Sequence, residues 1–174
     1  SVVSAVEAKE LARRAGVPVT AIPMAVSTPQ RPPCLAHRTR ELVFLGGCEY
    51  APNRTGVVDF VQRLAPRLGE LGLADVHLDI IGSANGWRRE NLGEAVNLVG
   101  YVEDLDPTLQ GYRAMLVPSL PPGGVKTKLL HAAANGTLIL ADRETIRSTG
   151  LEAGTTALTF GSPEELMELI LRIR

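Results

Sequence analysis

Gly123, Gly124, Lys126, Lys128 and His131 lie close together between an apolar run ending at Val117 and an Ala-rich stretch closed by Gly136. The segment from Val117 to Leu140 has the pattern of one strand-helix-strand unit. Its loop exposes unpaired backbone amides and two lysines where a helix begins. There the helix dipole and the free N–H groups favour a phosphate or another anion. The glycine pair has a second reading, a plain turn that needs positive φ. Lys126 taken alone is an ordinary solvated residue. Two roles are open for His131, either a ring-nitrogen bond to a ligand hydroxyl or a neutral packed imidazole on a backbone carbonyl.

Other chemistry-bearing residues are weaker candidates. Arg54 falls near a helix start close to the first strand end, as a phosphate contact or as an exposed arginine. Cys34 and Cys48 have no neighbouring base in sequence and are expected to be inert thiols. His77 is assigned a structural role inside a strand. Trp87 beside Arg88 and Arg89 suits a half-buried residue packing a short helix, with a partner surface as the lesser reading. Glu103, Asp104 and Asp106 suit a helix N-cap and a solvated acidic face better than a metal site.

The elements that must position these residues alternate regularly. Residues 1–40 form a lead-in: a helix over 6–15 opened by a capping box at Ser4 and Glu7, a strand over 17–26, and a connector with Pro29, Pro32 and Pro33. Residues 41–174 form the main domain. Apolar runs predict strands at 42–45, 76–81, 96–99, 114–117, 138–141 and 157–160. Val57, Phe60, Val61, Leu64, Leu68 and Leu71 recur at helical spacing, and Leu109 with Tyr112 suggests a short helix. Ser162 and Glu165 form a second capping box with Pro163 at the first helical position. Short strands that are apolar throughout and separated by helices predict an α/β, doubly wound parallel sheet, Rossmann-like, with its ligand crevice at the carboxyl ends of the strands. Gly46 and Gly47, Gly82 and Ser83, and Gly100 and Tyr101 all fall at such ends.

Composition narrows the function classes. The 174 residues are 45% hydrophobic with a net charge of −1, enough for one sizeable core and without a broad cationic face for nucleic acid or anionic lipid. Two cysteines make no disulfide framework, and no apolar run approaches the ~20 residues of a membrane span. A soluble, reduced, cytoplasmic protein without a metal is expected.

Several runs occur in a familiar order: Phe44-Leu-Gly-Gly47, Tyr50-Ala-Pro-Asn53, Ile80-Ile-Gly-Ser83, Val99-Gly-Tyr-Val102, Val117-Pro-Ser119, and Lys128 through Gly136. From about Leu42 onward the chain resembles the C-terminal domain of GT-B retaining glycosyltransferases of the large family 4 group. Ala21 through Val26 is similar to that family's crossover between its two domains. The resemblance implies the half that binds a UDP or GDP sugar for hexosyl transfer in polysaccharide or glycoconjugate biosynthesis. The acceptor would be held by an N-terminal domain absent from this chain, and the isolated domain would be inactive without it. It also implies that no metal or cofactor is needed.

By position, the resemblance assigns Lys128 to the donor diphosphate as a point charge. It assigns the amides of Gly124, Val125 and Lys126 to the phosphates or the sugar, and Tyr101 and Val102 to the nucleobase. Gly47 and Arg54 would stand beside the phosphates. Gly123 and His131 occupy the positions of a Glu-x7-Glu pair, although a branch of the family lacks the first acid. Replacing the ribose-binding glutamate by His131 removes a charge-assisted bond of about 1.5–3 kcal/mol, or roughly ten- to a hundredfold in affinity. That departure supports an alternative, a degenerate domain serving as scaffold or interaction module. Another Rossmann-like enzyme is disfavoured, since no Gly-x-Gly-x-x-Gly follows the first strand. No catalytic residue is assigned.

Overall fold

The computed structural model describes residues 5–28, 33–117, 127–147 and 151–174. Among them six strands form one sheet in the order β3-β2-β1-β4-β5-β6, with every pair parallel. The strands are β1 (Arg40–Leu45), β2 (Leu78–Ile81), β3 (Val96–Gly100), β4 (Tyr112–Val117), β5 (Leu138–Asp142) and β6 (Leu158–Phe160). This order is the doubly wound Rossmann arrangement. The chain winds outward from β1 in one direction and from β4 in the other, which opens a crevice between their carboxyl ends.

The central strands carry no polar face because both sides are covered. Leu42, Val43 and Phe44 are all fully buried, alternating between two cores. Leu42 and Phe44 pack with Val57, Phe60, Leu64, Leu68 and Ile170 on one side. Val43 and Leu45 pack with Leu109, Leu129, Ala132 and Ile146 on the other. The first side is covered by α2 (Ala51–Asp59), α3 (Ala65–Glu70) and the final helix α7 (Pro163–Ile173); the second by α4 (Leu105–Gln110), α5 (Thr127–Ala134) and α6 (Arg143–Arg147). Ser162 Oγ accepts from the Glu165 amide at 3.3 Å, while the Glu165 carboxylate accepts from the Gly161 amide at 2.7 Å. The capping box therefore closes one residue earlier than the sequence pattern places it.

Helices α2 and α3 are joined by a π-helical turn, Phe60–Leu64, in which the Ala65 amide donates to the Phe60 carbonyl. Pro66 supplies a reason, since in a regular helix its ring would collide with the carbonyl four residues back, and a widened turn relieves that contact.

The foot of the sheet is fastened by a buried cation. Arg38 is 1% exposed and donates to the carbonyls of Leu109, Tyr112 and Asn135 and to Thr137 Oγ1 at 2.7–3.2 Å. Two of those carbonyls end helices, where partial negative charge suits a guanidinium. Burial pulls the Arg38 pKa down from its ordinary value.

Three local expectations are corrected. The lead-in helix α1 (Ala5–Ala15) forms, but residues 17–28 add no strand to the sheet, and Val17 and Ile22 stand exposed. Tyr112 begins β4 instead of extending the preceding helix, because Gly111 ends α4 just before it. His77 precedes β2, its ring Nδ1 lying 2.8 Å from the Asp75 carbonyl oxygen. The Ser4 cap lies outside the described residues.

Candidate functional site

The crevice between β1 and β4 holds a compact polar cluster. Lys128, the second residue of α5, reaches across to β1, 83 residues earlier, and donates from Nζ to the Leu45 carbonyl at 3.0 Å. The same nitrogen donates to Asn53 Oδ1 at 3.0 Å and lies 4.5 Å from the centroid of the Phe44 ring. Asn53, 6% exposed in the first turn of α2, donates from Nδ2 to the Gly47 carbonyl at 3.0 Å. One asparagine thus bridges the loop after β1 to the lysine that follows β4.

Glycine is required for this approach. Gly46 has φ +146°, and a Cβ there would lie 2.4 Å from Asn53 Nδ2. Gly82, at φ +140°, would place a Cβ 3.0 Å from the backbone of Gly46. The ends of β1 and β2 are pressed together at this point, with the Gly46 amide donating to the Ile81 carbonyl at 2.9 Å.

The electrostatics of the crevice are mixed. Lys128 supplies a fixed ammonium at the first turn of a helix, the arrangement that neutralises an entering anion. Across the Gly46-Gly47 loop, Ser83 Oγ donates to Glu49 Oε1 at 2.5 Å, and this bond holds the exposed Glu49 carboxyl below its ordinary pKa. Arg54 is exposed, with Nη1 3.4 Å from the Cys48 carbonyl oxygen.

The residues singled out in the sequence fall as follows. Gly47, Arg54 and Lys128 gather around the start of α2. Tyr101 follows β3, two strands out from β1 or roughly 10 Å at ordinary strand spacing, and is 85% exposed. Val102 beside it is partly buried against the second core. His131 is half-buried one turn beyond Lys128 on α5, and its carbonyl accepts from Asn135 Nδ2 at 3.0 Å. Gly123, Gly124, Val125 and Lys126 lie outside the described residues. Sequence reasoning missed Asn53, Glu49 and Ser83 as site residues. The available signal was an asparagine following Pro52 at a helix start, just after the Gly46-Gly47 pair. Among the described residues no group of His, Cys, Asp and Glu side chains is placed to hold a metal ion, and no helix is long and apolar enough to cross a membrane.

The sequence matches the family model for glycosyl transferases group 1 over residues 39–174. No curated protein matches it in sequence. Among solved structures, a mutant of Staphylococcus aureus TarM, in complex with UDP among other ligands, superposes with a TM-score of 0.73 at 13% identity, over 99% of this chain and 36% of that one. The pneumococcal O-GlcNAc transferase GtfA in complex with UDP and GlcNAc gives 0.62 at 17% identity, over 99% of this chain and 37% of that one. Anabaena HepE in complex with UDP and glucose gives 0.53 at 14% identity, over 97% of this chain and 42% of that one. At these identities the likeness is one of fold, and the chain spans well under half of each of these proteins.

Proposed function

The chain belongs to the glycosyl transferases group 1 family, and from that premise we propose that it binds the nucleotide-diphosphate sugar donor of a retaining hexosyl transfer. The observation that carries this reading is the Lys128 ammonium, fixed between Leu45 and Asn53 at the switch point of the sheet. A diphosphate entering there meets a preorganised cation that needs little ordering on binding. Tyr101 offers an exposed ring for the nucleobase at the end of β3, and His131 stands one helical turn from Lys128 for the ribose. The loop residues Gly123, Gly124, Val125 and Lys126 are assigned to the phosphates and sugar on sequence alone. UDP is the first donor base to test, because TarM, GtfA and HepE are each in complex with it. GDP is the second.

In this reading the acceptor is held by a further domain, and turnover requires that domain to close over the sugar and exclude water. The charge needed at the leaving diphosphate comes from Lys128 and backbone amides, without a metal. A soluble cytoplasmic setting fits a nucleotide-sugar substrate.

Calorimetric titration with UDP and with GDP tests the reading. Saturable binding of one nucleotide is expected, weakened roughly ten- to a hundredfold in Lys128→Ala by the loss of a charge-assisted bond worth about 1.5–3 kcal/mol. His131→Glu is expected to tighten it by restoring a ribose acceptor. A folded wild type that binds neither nucleotide, with binding gained only in His131→Glu, would instead mark a scaffold that has lost its donor.

A further inference from the structure

The Gly46-Gly47 loop carries an anion of its own. Glu49 lies in the turn that follows it, and Glu49 Oε1 accepts from Ser83 Oγ at 2.5 Å, reaching from the end of β1 to the end of β2. Glu49 Oε2 lies so close to Gly47 that a Cβ on that glycine would collide with it. Unlike Gly46, Gly47 does not adopt positive φ, so the space left by its missing side chain is what the carboxylate uses. The Ser83 bond first, and then the residue's own backbone amide, hold the carboxyl below its ordinary pKa, and at neutral pH the group is charged.

The same loop is tied to Lys128 through one side chain. The Gly47 carbonyl accepts from Asn53 Nδ2, and Asn53 Oδ1 accepts from Lys128 Nζ, both at 3.0 Å. An anion drawn to Lys128 therefore arrives at a loop that a carboxylate already occupies. Like charges repel there, and the exposed Glu49 side chain can turn out to solvent at the cost of its Ser83 bond. Its departure uncovers the Ser83 hydroxyl. The Asn85 amide donates to the same Oγ at 3.3 Å, so the oxygen stays placed while its proton turns to a new acceptor.

We infer that Glu49 is an intramolecular competitor for the anion site: its carboxylate holds the Ser83 hydroxyl while the crevice is empty and swings out when a diphosphate spans from Lys128 to Ser83. This deepens the donor reading and rests on an anion entering beside Lys128, although it does not require a nucleotide. A single phosphate, held at Lys128 alone, leaves Glu49 in place. Glu49 thereby sets how tightly the crevice holds a diphosphate, and how readily one leaves.

The test is an NMR titration of the 174-residue chain with inorganic pyrophosphate, and separately with phosphate and with UDP. It follows the amides of Gly46, Gly47 and Ser83 and the ¹³C resonance of the Glu49 carboxyl carbon. Pyrophosphate should move that carbon to the position of a carboxylate in water. Glu49→Gln should bind pyrophosphate about three- to tenfold more tightly, since the like charge is gone and the Ser83 bond is weaker. Phosphate should gain about twofold at most. Glu49→Ala provides a second variant should Glu49→Gln fail to fold, with a gain in the same direction. A Glu49 carbon unmoved at saturating pyrophosphate overturns the inference, as do equal affinities in the wild type and the folded variants. An equal gain for phosphate overturns it too, by reducing Glu49 to a bystander charge, and so does silence of the loop amides toward pyrophosphate in every folded form. Release of Glu49 by pyrophosphate without any response to UDP would overturn only the nucleotide reading. UDP that saturates the loop amides while Glu49 stays on Ser83 would overturn only the competitor.

Discussion

Replacing Asn53 by alanine should reveal how strongly the two halves of the sheet depend on one side chain. The change removes the Nδ2 bond to the Gly47 carbonyl and the acceptor for Lys128 Nζ, both 3.0 Å long. A neutral bond contributes about 0.5–1.5 kcal/mol and one to a charged group about 1.5–3 kcal/mol. Their sum is about 2–4.5 kcal/mol, from which the better helix propensity of alanine subtracts at most ~0.7 kcal/mol. The expected loss of about 1.3–4 kcal/mol is a large part of the roughly 5–15 kcal/mol that stabilises a typical domain. Urea denaturation should show a lowered midpoint with an unchanged slope, since the surface exposed on unfolding hardly changes. Pairing the change with Lys128→Met isolates the contact in a double-mutant cycle, where a coupling of about 1–3 kcal/mol is expected. A loss below about 1 kcal/mol, or strict additivity with Lys128→Met, would refute the claim that Asn53 fastens the lysine to the loop after β1.

Gly46→Ala should cost at least about 2 kcal/mol through positive φ and the collision with Asn53, and less when combined with Asn53→Ala, as urea midpoints of the single and double variants would show. Arg38→Met keeps much of the buried volume but strips donors from three carbonyls, so a loss of at least about 3 kcal/mol and a fall in Tm of roughly 6–12 °C are expected by calorimetry. Burial first, and then the hydrogen bond to Asp79, push the Tyr112 pKa from 10.0 to about 12. The unfolded tyrosine ionises near 10 while the folded one keeps its proton. Stability from this group is therefore complete below that pH and is lost as pH rises toward 12. Urea midpoints across that interval should fall in the wild type and lose this component in Tyr112→Phe.

The six strands were legible because each is a short apolar run in a sheet covered on both faces, where alternation disappears and continuous hydrophobicity remains. Their ends were less so. Leu109 and Tyr112, three apart, satisfy a helical spacing, yet Gly111 divides them between a helix and a strand, and a pattern of two residues cannot see that break. Val17 through Val26 has strand composition, but composition says nothing about whether a partner strand is at hand, and none of the six pairs with it. At the crevice, the type and place of Lys128 were readable from the helix start that follows the loop. The long-range contacts were not, because they depend on the strand order that brings β4 beside β1. Asn53 was visible as a letter in a motif, and its part became clear only when Gly46 was seen to leave space for its amide.

The strand order also dictates a sequence of events as the chain is made. β1 is central, yet its neighbour on one side, β4, comes much later: Arg40 and Tyr112, paired in register, are 72 residues apart. A nascent chain can complete β1, β2 and β3 while one side of β1 still presents open backbone and the side chains of Leu42, Val43 and Phe44. Such an unprotected edge invites pairing with another chain. Arg38 is incomplete over the same interval, since Tyr112, Asn135 and Thr137 all follow it. β1, the first strand of this sheet, is thus protected only by the second half of the domain. Truncations ending before β4 should aggregate rather than fold, whatever the sheet's final stability.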